Sequence, residues 1–411
     1  MAMITLQLDG SRLADEVCIQ LPSSKSISNR LLIIHKISNS DLVIDNLSDA
    51  DDTRILKQLL DLDAKEVNCG LGGTSIRFFL TYCYLINREV VVSGEDTLNN
   101  RPIKPLVDAL LQLGAEIDYL DKDGFPPIHL KYTEKKSNEV RFDSNISSQF
   151  VSALLMIAPA LPKGLIIHLP TDQVSYSYID MTVGLMRRNG VEVEQESNRI
   201  SIRSQKYIPI AYRISSDWSA VIFWIGFLAI AGKGKVVIND LKADNIQGDE
   251  AILNWINDLG ITARISEEDI LFEKNEMPVK QELQFNLINN PDLAQPLAVI
   301  GAALGIKTTL TGLSTLKHKE TDRINAIANE LRKCDVDCFI NNDNLEITGK
   351  INTANLSNIV FDTYNDHRMA MSLAMLSAKG VTINLNNPEV VSKSYPQFFE
   401  ELKKFCVITE K

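Results

Sequence analysis

The residues of this chain that could do chemistry gather in a few short polar stretches. SSKSISNR carries Lys25, Ser26 and Arg30, and GLGGTSIR brings Gly72, Gly73 and Thr74, with Arg101 further on. Ser147, Ser148 and Gln149 stand in NISSQ, and Ser175 and Tyr178 in VSYSY. Later come Asp217, Asp292, then KETDR with Lys319, Glu320 and Arg323, YNDHR with His367 and Arg368, and Lys393. Guanidinium forks bind carboxylate and phosphate bidentately, while lysines act as point charges. Two carboxyl groups in different surroundings can divide the work of delivering and removing a proton. Together these types point to a substrate with several phosphate or carboxylate groups and to a reaction with proton transfers.

Each stretch alone has a plainer reading. SSKSISNR and SSQ can be helix caps with solvated first turns. The glycines of GLGGTSIR can serve a tight turn or let a ligand approach the backbone. That stretch lacks both the Walker lysine and the G-x-G-x-x-G spacing, so it supports neither an ATP loop nor a dinucleotide loop. Lys319, Glu320 and Arg323 can share one helical face as a surface ion pair. His367 and Arg368 directly precede a very apolar run, a costly place to crowd polar groups without a use.

The whole chain is acidic: 42 basic against 53 acidic residues give a net charge of −11 over 411 residues. General binding to nucleic acid or an anionic membrane needs a basic excess, so both are excluded as primary partners. The six cysteines and five histidines are dispersed, and no zinc site or disulfide framework can be read from them. The expectation is a protein with no metal and no cofactor. The most apolar stretch, Trp218 to Ala231, is too short to span a bilayer. The first residues show neither a secretory signal nor a transit peptide, so the expected location is cytoplasmic.

The elements that must position these residues recur sixfold. A helical stretch, a break and a β-like segment appear at 56–67, 107–119, 183–195, 253–265, 329–340 and, more weakly, 398–408. Gly114, Gly190 and Gly260 stand where a helix end calls for positive φ. Interleaved with these are six polar turns that open apolar helices: SSKSISNRLLIIHKI, GLGGTSIRFFLTYCYL, NISSQFVSALLMIAPAL, SSDWSAVIFWIGFLAIA, NPDLAQPLAVIGAAL and YNDHRMAMSLAML. Helices apolar nearly all round should be buried. Helix N-termini are anion sites, so turns of one type could face one region and collect the cations the chain lacks overall. Six units suit two pseudo-symmetric domains of three units each. The chain is expected to cross between them near Ile19–Pro22 and Arg213–Ser216.

The ordered series SKSxSNR, GGTSxR, NRPIxxLVDAL, SSQFVSALLM, VSxxYIDMT, QGD, KETDR and YNDHRMAM resembles the 5-enolpyruvylshikimate-3-phosphate synthase family over almost the whole chain. The resemblance implies an α/β fold of two inside-out barrel domains, each of three βαβαββ units. It places one domain at 21–214 and the other at 1–20 plus 215–411, with the active site in the cleft between. It implies transfer of the enolpyruvyl group of phosphoenolpyruvate to the 5-hydroxyl of shikimate 3-phosphate, with release of phosphate. Lys25, Ser26, Arg30, Ser147, Ser148, Gln149, Ser175, Tyr178, Asp292 and Lys319 match positions around shikimate 3-phosphate. Lys25, Gly73, Arg101, Gln149, Glu320, Arg323, His367, Arg368 and Lys393 match positions around phosphoenolpyruvate, and hence around its mimic glyphosate. Asp292, Glu320 and Lys25 are the implied catalytic groups; which moves which proton is left open. The expected partners are these two small molecules, with no nucleic acid, no membrane and a monomeric state. Both halves would present surfaces rich in cations that repel until an anionic substrate bridges them.

The chain departs from many relatives at Leu71-Gly72, Phe78, Thr315 and Tyr176-Ser177, where NAGT, proline, asparagine and Lys-Pro are common. Two other readings compete. A ligand-binding protein without activity predicts loss of the catalytic carboxylates, yet Asp292 and Glu320 both stand. An enolpyruvyl transferase acting on UDP-N-acetylglucosamine predicts a cysteine on a loop near Arg101, and none lies between Cys83 and Cys334.

Overall fold

The computed structural model describes residues 2–13, 16–39, 41–132, 134–142, 146–170, 174–275 and 280–410, with His318 described by its backbone alone. The chain divides into two compact units, Ser23–Ile214 and Met1–Pro22 together with Ser215–Lys411. Among the described residues no helix is long and apolar enough to cross a membrane.

The repeat is visible at its plainest in strand Glu66–Asn68, helix Gly73–Ile86, strand Val90–Ser93, helix Lys104–Gln112 and the strands Ile117–Tyr119 and Ile128–Leu130. Val90–Ser93 pairs parallel with Glu66–Asn68 and antiparallel with Ile128–Leu130, which takes Ile117–Tyr119 on its far side. The same order of pairing runs from Glu139–Arg141 to Arg199–Ile202, and from Glu282–Asn286 to Asn344–Thr348. These are complete βαβαββ units.

The other three repeats borrow strands from far along the chain. Glu16–Ile19 pairs parallel with Gly234–Asn239, so its crossover helix, Trp218–Ala231, lies beyond the whole of Ser23–Ile214. Tyr212–Arg213 pairs parallel with Ile44–Asp45 and thereby closes the repeat that contains helix Lys25–Ser38. That repeat stops after helix Asp51–Asp61, since the chain reaches strand Glu66–Asn68 too soon for a hairpin. The last repeat takes Met3–Leu8 between Ile383–Asn386 and Cys406–Glu410.

Within each unit the apolar helices pack on one another at the centre. Lys25–Ser38, Gly73–Ile86 and Ser148–Ile157 touch pairwise; Ala294–Leu304 touches both Trp218–Ala231 and His367–Ala374. In Trp218–Ala231 only Ser219 and Ala231 escape full burial, which is why its sequence carries no polar face. The sheets remain separate: five have four strands and one has two, among the described residues, and none closes into a hydrogen-bonded barrel. Helices at the centre and sheets outside make the arrangement inside-out. One expected helix is different. The stretch beginning at Leu253 folds as 3-10 turns, Gly248–Asn254 and Ile256–Leu259, and its Asn254, Asn257 and Asp258 are weak helix formers. Its end at Gly260 has the positive φ the sequence calls for.

Candidate active site

In Ser23–Ile214 most of the sequence-predicted groups sit at or near the N-termini of four helices that side chains tie together, and Arg101 lies between Asp96–Asn99 and Lys104–Gln112. Arg30 is the hub. Its Nε donates to Thr182 Oγ1 at 2.7 Å, Nη1 to the Ser26 carbonyl at 2.8 Å, and Nη2 to Ser152 Oγ at 3.1 Å and the Tyr178 carbonyl at 3.3 Å. These bonds join helix Lys25–Ser38 to Ser148–Ile157 and Tyr176–Arg188. The guanidinium is buried and lies against the rings of Phe78 and Tyr178. Burial pulls its pKa down to about 10, so it stays charged at neutral pH, and its hydrogen-bond partners are all neutral.

Asn29 Nδ2 donates to Thr74 Oγ1 at 2.9 Å, and Arg77 Nη1 donates to Gln149 Oε1 at 2.8 Å. Helix Gly73–Ile86 is thereby fixed to the other two. A Cβ at position 73 would lie 2.6 Å from Arg77 Nη1 and 2.8 Å from Arg101 Nη1, so any larger residue there displaces the ends of those two side chains. Two guanidiniums thus converge on one backbone position at a helix N-terminus, where free N–H groups and the dipole already favour anions. Lys25 Nζ is 3.0 Å from the buried carboxylate of Asp52. Ser147 is the cap that its sequence also allowed, its Oγ accepting from Gln149 N at 3.4 Å. Ser175 stands at the N-cap position of Tyr176–Arg188 without a side-chain cap bond, and its φ of 55° is a left-handed conformation that costs a serine about 1 kcal/mol or more.

In Met1–Pro22 with Ser215–Lys411, the predicted groups form one buried charge network. Arg323 is its centre, donating from Nε to Asp366 Oδ2 at 2.6 Å, from Nη1 to Asp292 Oδ1 at 2.8 Å and from Nη2 to Glu320 Oε2 at 2.8 Å. Arg368 Nη2 reaches Asp292 Oδ2 at 3.0 Å, and Lys319 Nζ lies 3.5 Å from Asp292 Oδ1. Lys393 Nζ is 3.0 Å from Glu320 Oε1. His367 opens helix His367–Ala374, with Nδ1 3.8 Å from Asp366 Oδ1, and Asp366 caps that helix by accepting from Arg368 N at 2.8 Å. Burial by itself would lower the pKa of Arg323, but Asp366, Glu320 and Asp292 outweigh it and hold the group firmly protonated.

This network corrects one expectation. Lys319, Arg323, Arg368 and Lys393 are not an uncompensated cationic surface, because Asp292, Glu320 and Asp366 are interleaved with them at ion-pair distance. The remaining carboxylate, Asp249, accepts from Ser219 Oγ at 2.6 Å and Asn290 Nδ2 at 3.3 Å. Burial first, and the charge of Asp292 second, push its pKa up to about 6.

Sequence reasoning missed Asp52, Arg77, Asp249 and Asp366 as site residues. Three of them stand inside GGTSIR, QGD and YNDHR, so a signal was present; Asp52, at the start of helix Asp51–Asp61, carried none. Asp217, grouped with the polar turns, serves as the cap of Trp218–Ala231, accepting from Ser219 N at 3.0 Å. At the departures, Phe78 is the ring under Arg30, Tyr176 takes a hydrogen bond from Gln195, and Thr315 buries a hydroxyl that has no partner among the described residues.

The family model described as EPSP synthase (3-phosphoshikimate 1-carboxyvinyltransferase) matches residues 56–402. A 3-phosphoshikimate 1-carboxyvinyltransferase of Bacteroides fragilis (strain YCH46) is 37% identical over 387 residues, covering 94% of each chain. One of Klebsiella pneumoniae (strain 342) is 31% identical over 422 residues, covering 96% of this chain and 97% of its own. A solved EPSP synthase structure from Acinetobacter baumannii superimposes with a TM-score of 0.78 at 20% identity and covers both chains fully, a likeness of fold. With the family's model matched across both units and its relatives aligned nearly end to end, the chain belongs to the EPSP synthase family.

Proposed function

We propose that the chain transfers the enolpyruvyl group of phosphoenolpyruvate to the 5-hydroxyl of shikimate 3-phosphate, giving 5-enolpyruvylshikimate 3-phosphate and inorganic phosphate. Family membership supports the reaction. The observation that carries the residue assignment is the joining of Asp292, Glu320 and Asp366 through one buried guanidinium, Arg323. Addition puts the hydroxyl oxygen on C2 of phosphoenolpyruvate while a proton goes to its methylene carbon and another leaves the hydroxyl. Elimination then removes a proton from the new methyl group as phosphate departs. Both steps need an acid and a base held at fixed positions, and Asp292 and Glu320 are each held by at least two cationic donors.

On this reading Asp292 and Glu320, with Lys25 from the other unit, move the protons. Arg323, Arg368, His367 and Lys393 attend phosphoenolpyruvate, with Gly73, Arg101 and Gln149. Ser26, Arg30, Ser147, Ser148, Ser175, Tyr178 and Lys319 attend shikimate 3-phosphate. Arg30 supports the anion assignment, since it is a buried cation with neutral partners that a carboxylate or phosphate would complement. The substrates are small molecules, and a cytoplasmic monomer is the form we propose.

The test is phosphate release by purified protein given phosphoenolpyruvate with shikimate 3-phosphate, and with UDP-N-acetylglucosamine as the rival acceptor. Turnover should require shikimate 3-phosphate. Glu320→Gln keeps the side chain's size but not its proton, and should lower kcat by about 100-fold or more with both KM values changed far less. Equal kcat in the two proteins would sink the role of Glu320. Equal turnover with the rival acceptor would sink the substrate.

A further inference from the structure

The turn that delivers Asp366, His367 and Arg368 is strained. Tyr364 and Asn365 have φ of 53° and 54°, two consecutive non-glycine residues in the left-handed region. Side chains disfavour that region, and such pairs persist only when their surroundings hold them. Part of the hold comes from Arg323 on Asp366. Seven residues on, and so on the same face of helix Arg323–Arg332, is Glu330. Its side chain is fully buried. Glu330 Oε1 accepts from the Tyr364 hydroxyl at 2.8 Å, and Oε2 accepts from Asp362 N at 3.2 Å. Lys333 Nζ, 2.7 Å from Oε2, neutralises the pair from the solvent side and also reaches Asp362 at 3.3 Å.

A buried carboxylate is a poor choice for packing alone, because an apolar side chain of its size would serve the core at least as well. Here it grips both the first of the two left-handed residues and the chain just before them. Burial first, and the bond to Glu330 second, push the Tyr364 phenol up to about 12, so its proton is always available to donate.

We infer that Glu330 is a positioning residue. Through the Tyr364 hydroxyl and the Asp362 amide it holds the turn in its left-handed conformation, and thereby sets where His367 and Arg368 stand. Glu330 itself touches no reacting atom. The inference rests on the enolpyruvyl-transfer reading and on His367 and Arg368 attending phosphoenolpyruvate within it. If the turn relaxes, Arg368 moves, and a displacement of about 1 Å at such a group can cost on the order of 100-fold in rate.

The experiment compares Tyr364→Phe, Glu330→Met and the double variant with wild type, all as full-length protein. Steady-state phosphate release gives both KM values. Hydrogen exchange followed by mass spectrometry reads the amides of 362–370. Each single variant should raise KM for phosphoenolpyruvate about tenfold and leave KM for shikimate 3-phosphate within twofold. Both should speed exchange in 362–370, and the double variant should be no worse than Glu330→Met, because one interaction has been removed twice. A merely structural role would lower kcat with the loss of folded protein and leave both KM values alone. That pattern, or a KM for phosphoenolpyruvate within twofold of wild type, overturns the inference. Should Glu330→Met not fold, Tyr364→Phe decides alone, since it removes one oxygen. If wild type fails to turn over this substrate pair, the functional reading has failed, and the exchange rates still decide whether Glu330 holds the turn.

Discussion

Replacing Asp249 by asparagine should make the protein more stable at neutral pH and not at acid pH. The carboxyl is buried, close to the charge of Asp292, and its pKa rises from 3.8 to about 6 in the folded unit. The folded state therefore holds this proton more tightly than the unfolded chain does. Stability from the protonated form is fully present below about pH 4 and is lost as pH rises through about 6, after which the loss is constant. A rise of about two pH units, at about 1.4 kcal/mol each, sets the ceiling of that loss near 3 kcal/mol. Asparagine has no proton to lose and keeps a group that can bond Ser219 and Asn290. The stability difference, Asp249→Asn variant minus wild type, should grow by up to about 3 kcal/mol between pH 4 and pH 7. Because Asp249 and Asp292 interact, that growth belongs to the pair. Urea unfolding followed by tryptophan fluorescence measures it in the right unit, since Trp218, Trp224 and Trp255 all lie between Ser215 and Lys411. Background titrations common to both proteins cancel in the difference. A difference flat within about 1 kcal/mol across that range would refute the claim that burial and Asp292 raise the proton affinity of Asp249 in the folded state.

Two further outcomes follow from Ser23–Ile214. Gly73→Ala puts a Cβ within 2.9 Å of both Arg77 and Arg101. The ends of these flexible side chains must move, so Tm should change little while KM for phosphoenolpyruvate rises about fivefold or more; unchanged KM would show that neither guanidinium matters to that substrate. Arg30→Lys cannot reproduce the Nη2 bonds to Ser152 and the Tyr178 carbonyl, and should cost about 2–3 kcal/mol in calorimetric unfolding. It should also raise KM for shikimate 3-phosphate more than KM for phosphoenolpyruvate, and the opposite order would reverse the assignment of Arg30.

The repeats were legible because three of them are wholly local: a polar turn, an apolar helix, a strand, an exposed helix and a hairpin fall within one stretch of chain, as between Glu66 and Leu130. Strand donation was not. Tyr212–Arg213 and Glu16–Ile19 are too short to show a pattern, and their partners lie 168 and about 220 residues away, as the bond from Arg213 to Asp45 and that from Asn239 to Cys18 show. The site divides the same way. Lys25, Gly73, Ser148 and His367 announce themselves by opening helices, a local property. Charge compensation is not local. The sequence shows Arg323 three residues after Glu320, but only the fold brings Asp366 to it from 43 residues away. Glu330 was invisible for that reason: it reads as an ordinary helix residue until Tyr364 and Asp362 come to it.

An acidic chain that handles anions must solve a problem the two units solve differently. On the proposed assignment Ser23–Ile214 offers helix N-termini, hydroxyls and a buried guanidinium with neutral partners, beside the Lys25–Asp52 pair, which suits holding an anion whose charge does not change. In the other unit every cation of the network already has a carboxylate, and that has a chemical consequence. Glu320 is held by Arg323 on one oxygen and Lys393 on the other. On the proposed assignment phosphoenolpyruvate brings negative charge to Lys393. Sharing the ammonium with the ligand weakens its hold on Glu320, and an added negative charge nearby raises the proton affinity of that carboxylate. Substrate binding would thus turn a stable ion pair into an acid able to take up and deliver a proton. A free-standing lysine could bind the same anion but could not pass the change on. Lys393→Met separates the two effects. It should weaken phosphoenolpyruvate binding and also shift the pH dependence of kcat, whereas a lysine that only binds would raise KM and leave the kcat profile where it was.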